Sequence, residues 1–78
     1  VKLEKSEILK KVGKRIKEVR LQKGISQADL VGRMEGNIDA TNISRIEAGR
    51  TNPTVYTLFR IAEAMEINPK ELLNFDND

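Results

Sequence analysis

The chain contains no cysteine and no histidine, and those two absences remove whole classes of chemistry. Without cysteine there is no disulfide framework and no thiolate metal site. Without histidine as well, a zinc site and imidazole-based catalysis are excluded, and no cofactor is expected. Other enzymatic signatures are missing too: there is no Gly-rich phosphate loop after a strand and no pair of carboxylates in an evident cleft, so the search for a nucleophile and its base finds nothing. No apolar run approaches the roughly 20 residues of a membrane span, and no signal-peptide pattern occurs. A cytoplasmic protein with no membrane partner is expected. Nowhere do apolar and polar residues alternate with the period of a strand. With Val1 in place of an initiator methionine, a trimmed chain is expected.

What is present is a short, charged, helix-patterned sequence. Its 78 residues make one small domain, near the lower limit at which a single apolar core supports folding unaided. Dimerisation would help such a chain. The net charge of +2 conceals an asymmetry: residues 1–50 carry a balance of +5 and residues 51–78 a balance of −3. A basic front with an acidic rear suits a surface oriented toward a polyanion, although solvated helix faces would also produce it.

The punctuation divides the chain into five short helices. Val1 to Lys5 reads as a frayed leader. Ser6 is placed to cap a first helix running to about Lys23, with Ile8, Leu9, Val12, Ile16 and Val19 at i, i+3/4 spacing. Gly13 inside it costs up to about 1 kcal/mol relative to Ala, so the preceding segment is expected to be looser. Gly24 supplies a left-handed end, with Ile25 packing behind it. Ser26-Gln27-Ala28-Asp29 fits a capping box, followed by Leu30, Val31 and Met34 on the buried face. This second helix is expected to stop around Glu35-Gly36-Asn37. Asp39 caps a third helix from Ala40 to about Ala48, with Ile43 and Ile46 inward and Gly49 at its end. After the Asn52-Pro53 loop, Thr54 caps a fourth helix to about Met65 whose stripe comprises Val55, Leu58, Phe59, Ile61, Ala62 and Met65. Asn68-Pro69-Lys70-Glu71 starts a fifth, with Glu71 closing a box-like cap.

The stretch Ser26–Arg50 is the centre of this pattern: two short helices, a polar turn, and a second helix whose free face carries Thr41, Asn42, Ser44 and Arg45. Arginine can bond guanine bidentately, Thr and Ser can serve either base edge, and a methyl can touch thymine. An ordinary exposed face would more often carry Lys and Glu, because Thr, Asn and Ser are poor helix formers. Gln27 and Asn52 are candidate phosphate donors, with capping and loop roles as the alternative. Leu72, Leu73 and Phe75 either cover the base of the core or remain exposed for a two-fold contact. Tyr56 fits either role. Arg20 and Glu47 stand out as charges among apolar helix residues, and spacing alone leaves open whether they are solvated.

These residues carry a resemblance. KEVRLQKGISQADLVGRM, then TNISRIEAGRTNPTVYTLFRIAEAM and a closing NPKELL, resemble the XRE family, the helix-turn-helix domain of phage repressors and Cro. The combination is specific: an Arg-x-x-x-Gly-hydrophobic-Ser-Gln entry, an Ile-Ser-Arg-Ile-Glu-x-Gly helix, and an Asn-Pro before the fourth helix. It covers about residues 9–75. It implies an all-α, compact five-helix bundle of the lambda-repressor-like type, with a leader and the start of helix one in 1–8, the DNA-binding domain in 9–75, and an acidic tail in 76–78. It implies that Arg20 and Glu47 form a partly buried salt bridge, whose truncation costs about 3–5 kcal/mol. It assigns Gln27 to a phosphate clamp, and Ala40, Thr41 and Arg45, with Ser44 between, to base readout. Arg50 and Asn52 are implied as backbone contacts, and Asn42 on the same helix face is expected to join them. Alanine at 40 reads only a thymine methyl or leaves space. The other departure is the turn, where Glu35-Gly36-Asn37 stands in place of the family's usual single Gly.

The function implied is a sequence-specific DNA-binding transcriptional regulator, its recognition helix at about 40–48 in the major groove of double-stranded DNA, acting as a homodimer through Leu72, Leu73 and Phe75. A competing expectation is an interaction module of the same fold, such as an antitoxin or adaptor, favoured by the acidic final third. Both a complete small regulator, such as a restriction–modification controller, and the DNA-binding part of a larger protein fit the sequence.

Overall fold

A computed structural model of the chain describes residues 3–75. Four α-helices and one 3-10 helix follow in order: α1 (Lys5–Gln22), α2 (Gln27–Arg33), α3 (Ala40–Glu47), α4 (Val55–Ala64) and the 3-10 helix (Pro69–Leu73). No strand occurs among the described residues. The all-α class expected from the periodicity is therefore observed, with the fifth helix reduced to a 3-10 turn. Residues 76–78 of the expected tail, with Val1 and Lys2 of the leader, lie outside the described residues.

The helix starts follow the capping chemistry of the sequence. Ser26 Oγ accepts from the Asp29 amide at 2.9 Å, and the Asp29 carboxylate accepts from the Ser26 amide at 3.0 Å. Asp39 accepts from the Asn42 amide at 2.9 Å, and Thr54 from the Thr57 amide at 3.0 Å. The exception is α1, which begins at Lys5 after Glu4 with no side-chain cap. Ser6 thus lies inside the first turn, and Lys5 belongs to the helix rather than to a leader.

Three helices end in the same way, with a 6→1 and a 5→2 backbone bond around a left-handed residue. Ile25 N–H bonds Arg20 O at 3.1 Å, Arg50 N–H bonds Arg45 O at 2.9 Å, and Ile67 N–H bonds Ala62 O at 3.0 Å. Gly24 and Gly49 hold the left-handed position in the first two, but in the third it is Glu66, at φ 59°. The second helix ends earlier than its composition implies: Arg33 is its last residue and Met34 is already extended, at φ −96° and ψ 141°.

The core is an aliphatic cluster. Val12, Ile16 and Val19 of α1 meet Ile25, Leu30 of α2, Ile43 and Ile46 of α3, Ile61, Ala62 and Met65 around α4, and Leu72. Ile8, expected inside, is exposed, and so are Val55 and Phe59 of the α4 stripe. On α4 the stripe that faces the core is Leu58-Ile61-Ala62-Met65, a strict i, i+3, i+4, i+7 set. Val55 and Phe59 lie on the flank of that set and turn outward. In the 3-10 helix, Leu72 is the residue that enters the core, while Pro69 is partly buried at the edge of an open groove beside α4. Arg15 holds this turn in place, donating through Nε to Glu71 O at 2.7 Å and approaching Glu71 Oε1 at 3.4 Å through Nη2. Glu71 therefore does not close the expected cap, because a guanidinium offers its carboxylate a stronger partner than a backbone amide.

Gly13 is buried in the middle of a continuous α1, not next to a loose segment. A Cβ there would lie 2.6 Å from Glu47 O and closer still to Ile46 O. Gly13 is what lets the C-terminal end of α3 rest on α1.

Candidate nucleic-acid interface

The end of α3 is fixed from below by a buried charged network. Arg20 Nε donates to Glu47 Oε2 at 2.7 Å and Nη2 to Oε1 at 3.0 Å, while Nη1 donates to Ile25 O at 2.7 Å. Both side chains are buried. The fork geometry is the strong form of this pair, and the hydrogen bonding to Glu47 raises the Arg20 guanidinium above its ordinary value. Gln27 joins the same network, donating through Nε2 to Glu47 Oε1 at 3.0 Å. The first residues of α2 and the last of α3 are thereby tied through one carboxylate. Sequence reasoning missed this bond. The only available signal was that Gln27 opens a helix whose partner ends in an acid.

With Glu47 turned inward, α3 itself presents no free carboxylate. Ala40, Thr41, Ser44 and Arg45 are exposed on its outer side, and Asn42 is half-buried. Arg50 and Asn52, in the loop that leaves α3, are exposed too. The fold therefore places the expected base-reading residues on one free helix face and the expected backbone-contact residues around it. Asn42, Arg45 and Asn52 line a common concavity between α3, the preceding turn and the start of α4.

The cluster expected at a two-fold contact is split by the fold. Leu72 is fully buried in the core and cannot serve an interface. Phe75 packs partly against the core, and Leu73 alone of the three is exposed, at 54%. The reason is the 3-10 period, which turns successive residues through a third of a circle and leaves neighbours on different sides. The larger exposed apolar group is on α4: Val55 at 70%, Tyr56 at 72% and Phe59 at 56%.

Two short helices crossing at a turn, a rigidly seated second helix and a polar free face define a helix-turn-helix DNA-binding protein. The HTH_3 helix-turn-helix model matches residues 16–72, so the chain belongs to this XRE-type helix-turn-helix family. It is similar to an uncharacterised HTH-type transcriptional regulator, y4dJ, of Sinorhizobium fredii, with 34% identity over 64 residues, 82% of this chain and 80% of the relative. It is also similar to the control protein C.BamHI of Bacillus amyloliquefaciens, with 34% identity over 64 residues, 81% of this chain and 76% of that protein. Among solved structures, the restriction-modification controller protein C.AhdI from Aeromonas hydrophila superposes with a TM-score of 0.75 at 33% identity, over 82% of this chain and 94% of that one. The protein is a DNA-binding transcriptional regulator, not an enzyme. No helix among the described residues is long and apolar enough to cross a membrane.

Proposed function

We propose that this regulator binds a two-fold operator as a homodimer, in the compartment that holds the DNA, with α3 of each copy in the major groove. The supporting observation is the free face of α3, where Thr41, Ser44 and Arg45 are exposed together on a helix whose acid is buried against Arg20. Arg45 reads a base edge, Thr41 and Ser44 add hydrogen bonds or a methyl contact, and Ala40 leaves room for a thymine methyl. Gln27, Asn42, Arg50 and Asn52 contact the backbone. Gln27 is suited to this because its bond to Glu47 uses one N–H of Nε2 and leaves the second for a phosphate. Dimerisation uses the exposed apolar face of α4, with Leu73 as the remaining contributor from the cluster named by the sequence. The likeness to a control protein and to a solved restriction-modification controller protein favours a small regulator of that kind, and supports repression as one mode of action.

A polarisation titration with duplexes selected from a random pool tests the readout. Arg45→Ala is expected to cost about 1–3 kcal/mol and to relax preference at one base position, while Gln27→Ala weakens all sequences alike. Equal loss for every duplex with Arg45→Ala would remove it from base readout. No duplex binding by the wild type at low salt would favour the interaction-module reading instead.

A further inference from the structure

The concavity beside α3 contains more than the expected contacts. It has a volume of about 330 Å³, and Asn37, Asn42, Arg45, Asn52, Thr54 and Arg60 line it without any Asp or Glu. The larger groove on the other side of Arg60, about 920 Å³, differs in chemistry, since Glu35 and Glu63 balance Arg33 and Arg60 there. Of these two, the smaller concavity combines two guanidiniums, amides and hydroxyls with no carboxylate to repel an anion.

Arg60 borders both spaces and is the unusual group. Its Nη2 is buried and has no hydrogen-bond partner. Gly36 of the long turn covers it, at φ 98°, and a Cβ there would come within 3.1 Å of Nη2. Its Cζ lies 5.7 Å from the centroid of the Tyr56 ring, which is itself largely exposed. A buried guanidinium N–H without an acceptor lowers stability. Among the described residues its guanidinium has the Tyr56 ring as a partner but no bonded carboxylate, and an anion in the concavity supplies the missing counter-charge.

We propose that this concavity seats a backbone phosphate of the bound duplex, with Asn37 as a direct donor and Arg60 as a fixed positive charge beneath it. The proposal rests on the reading that α3 enters the major groove, which presents Asn42, Arg45 and Asn52 to the adjoining strand. Arg60 acts through space: its Nη2 faces Gly36, and its half-buried charge is screened less than that of a fully exposed lysine. The long turn supplies Asn37 to the rim and Gly36 to the cover of Arg60. Both residues fall in the stretch by which this chain departs from the family's shorter connection.

Arg60→Met in the full chain separates this role from packing. The thermal midpoint is expected to stay or rise, while affinity falls alike for all duplex sequences and the slope of log K against log salt diminishes by up to about 1. A fall in thermal midpoint, with DNA affinity unchanged once folding is complete, would assign Arg60 to packing and overturn the proposal. Asn37→Asp, an exposed change in the turn, introduces a carboxylate and is expected to lower affinity about tenfold regardless of sequence. Single neutral methylphosphonates placed along each strand then locate the seat. The wild type loses affinity at one position per half-site where Asn37→Asp shows no further loss; absence of such a position overturns the proposal. Wild-type protein that binds no duplex would instead overturn the reading of α3, a result distinct from normal wild-type binding with both variants unaffected.

Discussion

Glu47 is the residue on which three others converge: Arg20 by two bonds, Gln27 by one, and through Arg20 the carbonyl of Ile25. Removing its carboxylate leaves a buried guanidinium unpaired, so Glu47→Ala is expected to cost about 3–5 kcal/mol. A joint Arg20→Met, Glu47→Leu change should recover most of that, because no charge is left stranded. Denaturant titrations of the three proteins check it, and a double variant as unstable as the single one would contradict the explanation. At the exposed start of α2 the electrostatics are milder. The Ser26 amide, and then its hydroxyl, hold the Asp29 carboxyl below the usual carboxylate range. A depressed carboxylate contributes its stability above the ordinary range and loses it as pH falls through the lowered value. An NMR titration should therefore give Asp29 a midpoint below that of the same residue in an unfolded peptide. A midpoint at or above it would show that the cap is not made in solution.

At the scale of elements, the contact between α1 and α3 positions the interface. Taken alone, Gly13 weakens a helix, and Ala would improve propensity by up to about 1 kcal/mol. In the fold the added Cβ meets two backbone carbonyls at the end of α3, one of them at 2.6 Å, and neither can move without disturbing Glu47. Gly13→Ala is expected to destabilise by about 1–3 kcal/mol, the usual cost of overpacking, visible as a lower thermal midpoint. A higher midpoint would mean that propensity dominates and the helices separate freely. The end of α2 shows the opposite relation between propensity and packing. Once Leu30 is buried, Val31 and Met34 are only partly covered, and little burial remains to extend the helix past Arg33. The residues that follow form the long turn instead.

At the scale of the whole molecule, the eleven buried apolar residues among those described form the core, and Val55, Tyr56 and Phe59 stay exposed on α4. In the proposed homodimer, a symmetric contact through this face has to place the two recognition helices about 34 Å apart, one turn of duplex. Phe59→Glu is expected to shift sedimentation toward the monomer and to weaken operator binding while leaving the helical signal intact. A variant that still sediments as a dimer would remove α4 from the interface. The charge asymmetry of the chain is only partly an asymmetry of the surface, because Arg15 from the basic front is spent on Glu71 of the acidic rear. The salt dependence of binding should accordingly be smaller than the basic count of residues 1–50 alone implies.

The local chemistry of the chain was legible in advance because it depends on near neighbours. Ser26 with Asp29, Asp39, Thr54, Asn68, Gly24 and Gly49 mark helix ends by bonds that span two to five residues, and the 3.6 period identifies the core of α3 without reference to the rest of the fold. The exposed face of α3 followed directly from that period. What the tertiary structure decided are contacts between residues distant in sequence: Gly13 under the end of α3, Gln27 on Glu47, Arg15 on Glu71, Arg60 beneath Gly36, and the division of Leu72 from Leu73. Such pairings depend on which helix faces share a small core. A local pattern states that a residue is apolar, charged or small, but the packing alone selects its partner.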